Sequence, residues 1–171
     1  MSKIFSTFAR KFAQTMKKIL YTLLAILMLT ACNNTAEQQK QRANELCAFI
    51  PNHELLEKSR DYMTTDFYTV LDTMFHLPYS ENVLHEWEFW FVAADGTPLA
   101  RCANEILSIE QTDDSHSIAR VLVHPEDTNY EADEHRLYME RVNGEWMIAD
   151  YDEHKANAAR YINTWRTQIW K

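Results

Sequence analysis

The chain has 171 residues, with 17 Lys plus Arg against 25 Asp plus Glu and a formal net charge of −8. Nucleic acid and anionic lipid surfaces are met by clustered Lys and Arg, so this balance argues against a nucleic-acid partner and against an electrostatic hold on a membrane. With only two glycines, Gly96 and Gly144, neither a Walker-type phosphate loop nor a dinucleotide fingerprint can be assembled.

The basic residues gather at the front. Lys3, Arg10, Lys11, Lys17 and Lys18 precede every acid in the chain, and an uncharged, mostly apolar run follows from Ile19 to Leu29. Basic region, apolar region and a small-residue cut site make the layout of a secretory signal. The run falls short of the ~20 residues that span a bilayer. Residues 1–15 lengthen the basic region ahead of a second methionine, Met16, which reads as the true start; a long leader is the alternative.

The segment Leu29-Thr30-Ala31-Cys32 resembles the lipobox of bacterial lipoproteins, Leu-x-[Ala/Ser/Gly]-Cys. The resemblance implies that residues 1–31 are removed and that Cys32 becomes a lipidated amino terminus. The palmitate-bearing protein would then be held at the cell envelope, on the periplasmic side of the outer membrane rather than the surface. Three acyl chains exceed the two membrane signals that stable anchoring takes. Cleavage leaves 140 residues, enough for one domain with one core, and the loss of five basic residues and no acid takes the charge from −8 to −13. Cys47 and Cys102 remain in an oxidising-permissive setting, either bridged or as two buried thiols.

Residues Asn33 to Arg42 offer little to bury and read as a tether, so the predicted domain is 43–171. Ala43 to Ile50 is a short helix ended by Pro51, after which Asn52 caps a long helix from His53 to Phe75. Leu56, Met63, Phe67, Val70, Leu71 and Met74 form its apolar stripe. Period-two alternation begins near Leu84, through Trp87, Phe89 and Phe91. Asp95-Gly96 marks a hairpin, followed by strands from Leu99 to Ile109, Ile118 to His124 and Glu134 to Val142. Asn143-Gly144 marks a second hairpin of type I′, Glu145 to Ala149 returns as a fifth strand, and a helix from Asp152 to about Trp170 closes the chain, with Asp150 and Glu153 at its start.

Helices followed by antiparallel strands define an α+β class, with N-terminal helices packed on a curved sheet of about five strands. This order, with the ending Leu137-Tyr138-Met139-Glu140-Arg141-Val142-Asn143-Gly144-Glu145-Trp146-Met147-Ile148-Ala149-Asp150, resembles the cystatin-like cone of the nuclear transport factor two superfamily, in particular its small bacterial lipoproteins. The resemblance covers roughly Glu54 to Asp150; the last helix departs from it. It implies a domain that binds a small ligand or an envelope protein without catalysing a reaction.

Enzymes of this fold, such as ketosteroid isomerases and scytalone dehydratases, set an acid or base and a tyrosine inside the cone. Tyr68, Asp72, His85, Tyr138 and Asp150 supply those types, yet none stands in a motif that matches residue by residue, so no catalytic or cofactor-binding residue is assigned. An isomerase or dehydratase is the alternative, as is an inhibitory or structural protein acting through the exposed sheet face.

Asp150, Asp152 and His154, with Asp133, Glu134 and His135 upstream, have metal-ligand types without metal-loop spacing. A helix amino terminus accounts for the acids, and no metal is assigned. His53, His76, His85, His116 and His124 read as surface residues. Of the rings Trp87, Phe89, Trp90, Phe91, Tyr138, Trp146 and Trp165, most read as core. Tyr68, Trp90 and Tyr138 are the expected lining of a concave pocket for a small apolar or sugar-like ligand.

Replacing Cys32 by Ala should abolish incorporation of radiolabelled fatty acid and release the protein from membranes. Continued labelling of the variant contradicts the lipobox reading.

Overall fold

A computed structural model describes residues 36–51, 55–77 and 90–169. The signal, Met16, Cys32, Asn52, His53, His85, Trp87, Phe89, Trp170 and the expected first strand up to Phe89 lie outside the described residues. The chain divides into two units, Met1–Gln38 and Gln39–Lys171; the first helix starts in the last three residues of the first, and the other elements below belong to the second.

The first helix, α1, runs over residues 36–47 and so begins inside the stretch expected to be a tether. Gln39, Ala43, Leu46, Cys47 and Ile50 are all buried, and their spacing of three to four residues forms one stripe. The stripe was hidden because Gln39 counts as polar. Its amide lies inside and Nε2 donates to Gln111 Oε1 at 3.4 Å.

The expected long helix is interrupted. A short α2 (Leu56–Ser59) continues as a 3₁₀ turn (Arg60–Tyr62), Met63 is extended, and α3 spans Thr65–Phe75. The reason is Thr64, whose hydroxyl accepts from Phe67 N. A threonine oxygen that satisfies a free amide of the next turn makes a helix start, not a helix interior. The break also lets Met63 pair in parallel with Ile148, while Thr64 N donates to Ile148 O at 2.9 Å. Phe67, Leu71, Met74 and Phe75 of α3 are buried.

Asp95-Gly96 does form a turn, but of a different type. Gly96 N donates to Ala93 O and Ala93 N to Thr97 O, and of this loop only Gly96 has positive φ, at 82°. This is a three-residue loop closed by a left-handed glycine, steadied by Thr97 N donating to Asp95 Oδ1 at 2.9 Å. Leu99–Arg101 is then a 3₁₀ turn, so the strand expected from Leu99 begins at Ala103.

The described sheet has four strands, β1 (Ala103–Gln111), β2 (His116–His124), β3 (Asp133–Val142) and β4 (Glu145–Tyr151), in the order β1-β2-β3-β4 with every pair antiparallel. The α+β architecture and the C-terminal helix, α4 (His154–Ile169), follow the sequence reading, with one strand fewer among the described residues. Ser117, Ala119, Val121 and Val123 of β2, Leu137 and Met139 of β3, and Ile148 of β4 are buried on the inner face with Ala158 and Ile162 of α4. Arg120 and Glu134 make a bidentate pair, 2.6 and 2.5 Å, between exposed side chains.

Two irregularities alter the alternation. The β1–β2 register shifts between Ile106 and Ser108, which leaves Leu107 as an exposed extra residue. The β3–β4 register shifts after Tyr138 and Asp150, because Met139 pairs with Ile148; Ala149 is the extra residue there. A bulge changes which face the following side chains occupy. Ile148 and Tyr151, three apart, are therefore both buried inward.

The β3–β4 turn matches its expected type, with Asn143 at φ 53° and Gly144 at φ 92°. A Cβ added at Gly144 meets nothing within 4 Å, so substitution is opposed by backbone conformation alone. Gly144→Ala should cost about 1–2 kcal/mol, read as a lower urea midpoint at unchanged slope.

Candidate functional site

The chain leaves β4 through two consecutive left-handed residues, Asp152 at φ 46° and Glu153 at φ 63°. Neither is glycine, and each such position stores about 1–3 kcal/mol that surrounding contacts must hold. Those contacts are made by Asp152. Its backbone N donates to Arg136 O at 3.0 Å, its Oδ1 accepts from Arg136 N at 2.7 Å, and its Oδ2 lies 2.6 Å from His135 Nδ1. The carboxylate thus takes the place of a strand carbonyl just where the β3–β4 ladder ends. Asp150, two residues earlier in β4, accepts from Lys155 N at 2.9 Å and from Tyr151 N at 2.7 Å, and so secures the first turn of α4.

The side chain of His135 is 18 % exposed and that of Asp152 27 %. An ionised carboxylate only accepts, so the neutral imidazole of His135 carries its proton on Nδ1 and presents a lone pair at Nε2. That Nε2 is buried and has no partner among the described residues. His154 mirrors it: Nε2 lies 3.1 Å from the carbonyl of Trp90, another pure acceptor, leaving the lone pair on Nδ1, which is buried without a partner. Tyr151 packs near both, and its hydroxyl is also buried and without a hydrogen-bond partner among the described residues. Its ring centroid is 5.4 Å from that of His135 and 6.3 Å from that of His154. Trp90 stacks on His154 at 4.8 Å and Phe91 meets it edge-on at 5.2 Å.

Burial governs the ionisation here. It holds His154 below its ordinary 6.5, against the opposing pull of Asp152 and the Trp90 carbonyl. It also drives the Tyr151 phenol well above its ordinary range, helped by Asp152, Cys47 and Cys102. Cys47 is pushed up to about 12 by burial, and Cys102 is raised by burial and then by Asp95 and Glu126. Both cysteines are buried free thiols; Cys102 Sγ faces the carbonyls of Thr97 and Pro98. Burial raises Asp150 despite the hydrogen bonds from Lys155 and Tyr151.

Of the three residues expected to line a pocket, Trp90 belongs to this cluster. Tyr138 lies beyond it, lining an open groove of about 300 Å³ with Glu134, Arg136, Asp152 and Glu153, its hydroxyl 3.3 Å from Glu153 Oε1. Tyr68 is on α3, half-buried against the core with Arg60 over its ring at 5.1 Å. Asp72 pairs with His76. Asp150, Asp152 and His154 turn toward three separate partners, and among the described residues no group of three or more His, Cys, Asp or Glu is placed to hold a metal. His135 and Tyr151 were not singled out for a pocket, because the alternation of β4 places residue 151 outward unless the bulge at Ala149 is known.

Among the comparisons with known proteins, residues 16–33 match the model of the prokaryotic membrane lipoprotein lipid attachment site. No curated protein and no solved structure matches the chain. The chain therefore carries a lipoprotein attachment site that includes Cys32, and no helix of the described residues is long and apolar enough to cross a membrane.

A histidine kept below 6.5 by the fold takes up protons more readily when unfolded. Its contribution is fully present above about 6.5 and lost as pH falls through the folded pKa. Asp150, with a folded pKa raised above its ordinary 3.8 by burial, acts with the opposite sign, its contribution lost as pH rises through the folded pKa. Chemical denaturation from pH 7.5 to 5 should show falling stability in the wild type and a flatter profile in His154→Gln.

Proposed function

We propose that this is a lipid-anchored protein of the cell envelope, held at the periplasmic face of the outer membrane, whose cystatin-like domain binds a small ligand without acting on it chemically. The attachment site at residues 16–33 supports the address. The binding reading rests on one observation, the three buried polar atoms of His135, Tyr151 and His154 that meet no partner among the described residues. An unsatisfied buried polar group costs about 1–3 kcal/mol, and three on rings that pack together point to a place completed by something else. The raised thiols and phenol support binding over covalent chemistry, since at neutral pH they hold their protons and are poor nucleophiles.

The second reading is an isomerase or dehydratase. It is favoured by the Asp152–His135 pair, in which a carboxylate orients an imidazole with a free Nε2 as a general base requires.

Native mass spectrometry of the protein extracted from its own membranes in mild detergent tests the binding reading. A non-covalent small-molecule mass that is lost on denaturation, and reduced in His154→Phe, is the expected result. A wild-type spectrum showing only the bare lipoprotein, or only a stoichiometric protein partner, overturns it.

A further inference from the structure

We propose that the His135–Tyr151–His154 cluster is a receptor for hydroxyl groups of a neutral ligand, with a hydroxyl hydrogen donated into the lone pair of each histidine and the Tyr151 hydroxyl completing the contact. The inference rests on the domain being a small-ligand binder and says which chemistry it selects.

The selection comes from the protons already placed. Asp152 fixes the His135 proton on Nδ1 at 2.6 Å, and the Trp90 carbonyl fixes the His154 proton on Nε2 at 3.1 Å. In the neutral rings both buried nitrogens, His135 Nε2 and His154 Nδ1, are therefore acceptors. Tyr151, fully buried, can donate or accept. With both rings neutral, the cluster offers two acceptors and one hydroxyl.

An anion finds no fixed donor besides the tyrosine and faces two lone pairs, with the Asp152 carboxylate behind one of them. An ammonium finds acceptors, yet burying it needs a free counter-charge, and the Asp152 oxygens are already taken by His135 and by Arg136 N. A neutral hydroxyl compound satisfies all three groups without moving charge. The rings of Trp90 and Phe91 against His154 supply the apolar wall that such a ligand's carbon face would meet.

The test is ¹⁵N NMR of the histidine side chains in the acylated protein in detergent, titrated with glycerol, ethylammonium and acetate in turn. Glycerol should shift His135 Nε2 and His154 Nδ1 saturably, and Tyr151→Phe should weaken that response about tenfold, the worth of one hydrogen bond. Because the Tyr151 hydroxyl has no hydrogen-bond partner among the described residues, Tyr151→Phe should be no less stable than the wild type, so a lost response in it reports on the site and not on misfolding. A stronger response to ethylammonium or acetate overturns the chemistry. So do protonated inward nitrogens, or a bound water at the cluster that glycerol does not displace. Should glycerol shift only residues elsewhere, such as Tyr138 and Glu153, this inference fails while the small-ligand reading stands.

Discussion

The carboxylate of Asp152 is the constraint from which the end of this domain is built. It holds a backbone in two successive left-handed residues, conformations that L side chains resist, by reaching the amide of Arg136 and the ring of His135 together. In doing so it ends the β3–β4 ladder, turns the chain into α4 and sets the tautomer of the imidazole that faces the interior. One short side chain thus links sheet termination, helix direction and the chemistry offered at the inner face.

The bulge at Ala149 is the second device, and it acts only because Asp152 follows it. By adding a residue to β4, it brings Tyr151 to the face that Ile148 already occupies. A tyrosine hydroxyl and two imidazole nitrogens then lie against a core otherwise made of aliphatic, sulfur-bearing and phenylalanine side chains. Such polar groups weaken a core unless satisfied. The surrounding apolar packing is broad enough to tolerate them: α1, α3 and α4 each contribute buried side chains to the same cluster. A stable frame carrying a locally unsatisfied polar centre is the usual relation of a scaffold to a site.

Much of the fold was legible in the residues themselves. Asn143-Gly144 states a type I′ turn because both positions need positive φ, and both have it. The run from Ile118 to His124 states a strand, while the inclusion of Ser117 and the choice of the face bearing Ala119, Val121 and Val123 as the buried one emerge only in the sheet. Thr64 could have been read as a helix start, but the apolar stripe on both sides of it suggested one continuous helix. Asp95-Gly96 announced a turn without fixing its type, since a two-residue and a three-residue loop use the same pair and differ in which residue becomes left-handed. The pocket expectation reached Trp90 through its ring but not His135 or Tyr151, whose position depends on register.

What the sequence by itself determined are the properties set by neighbours along the chain: the basic-then-apolar leader ending at Cys32, the turns, the periodicity of helix and strand, and the acidic balance. Tertiary structure alone decided the rest. Whether Tyr151 points inward depends on a one-residue slip between β3 and β4, and whether His135 is a base or a donor depends on a carboxylate 17 positions away. Local propensity cannot encode either, because both follow from pairings across strands, where a single shift of register exchanges the two faces of the sheet.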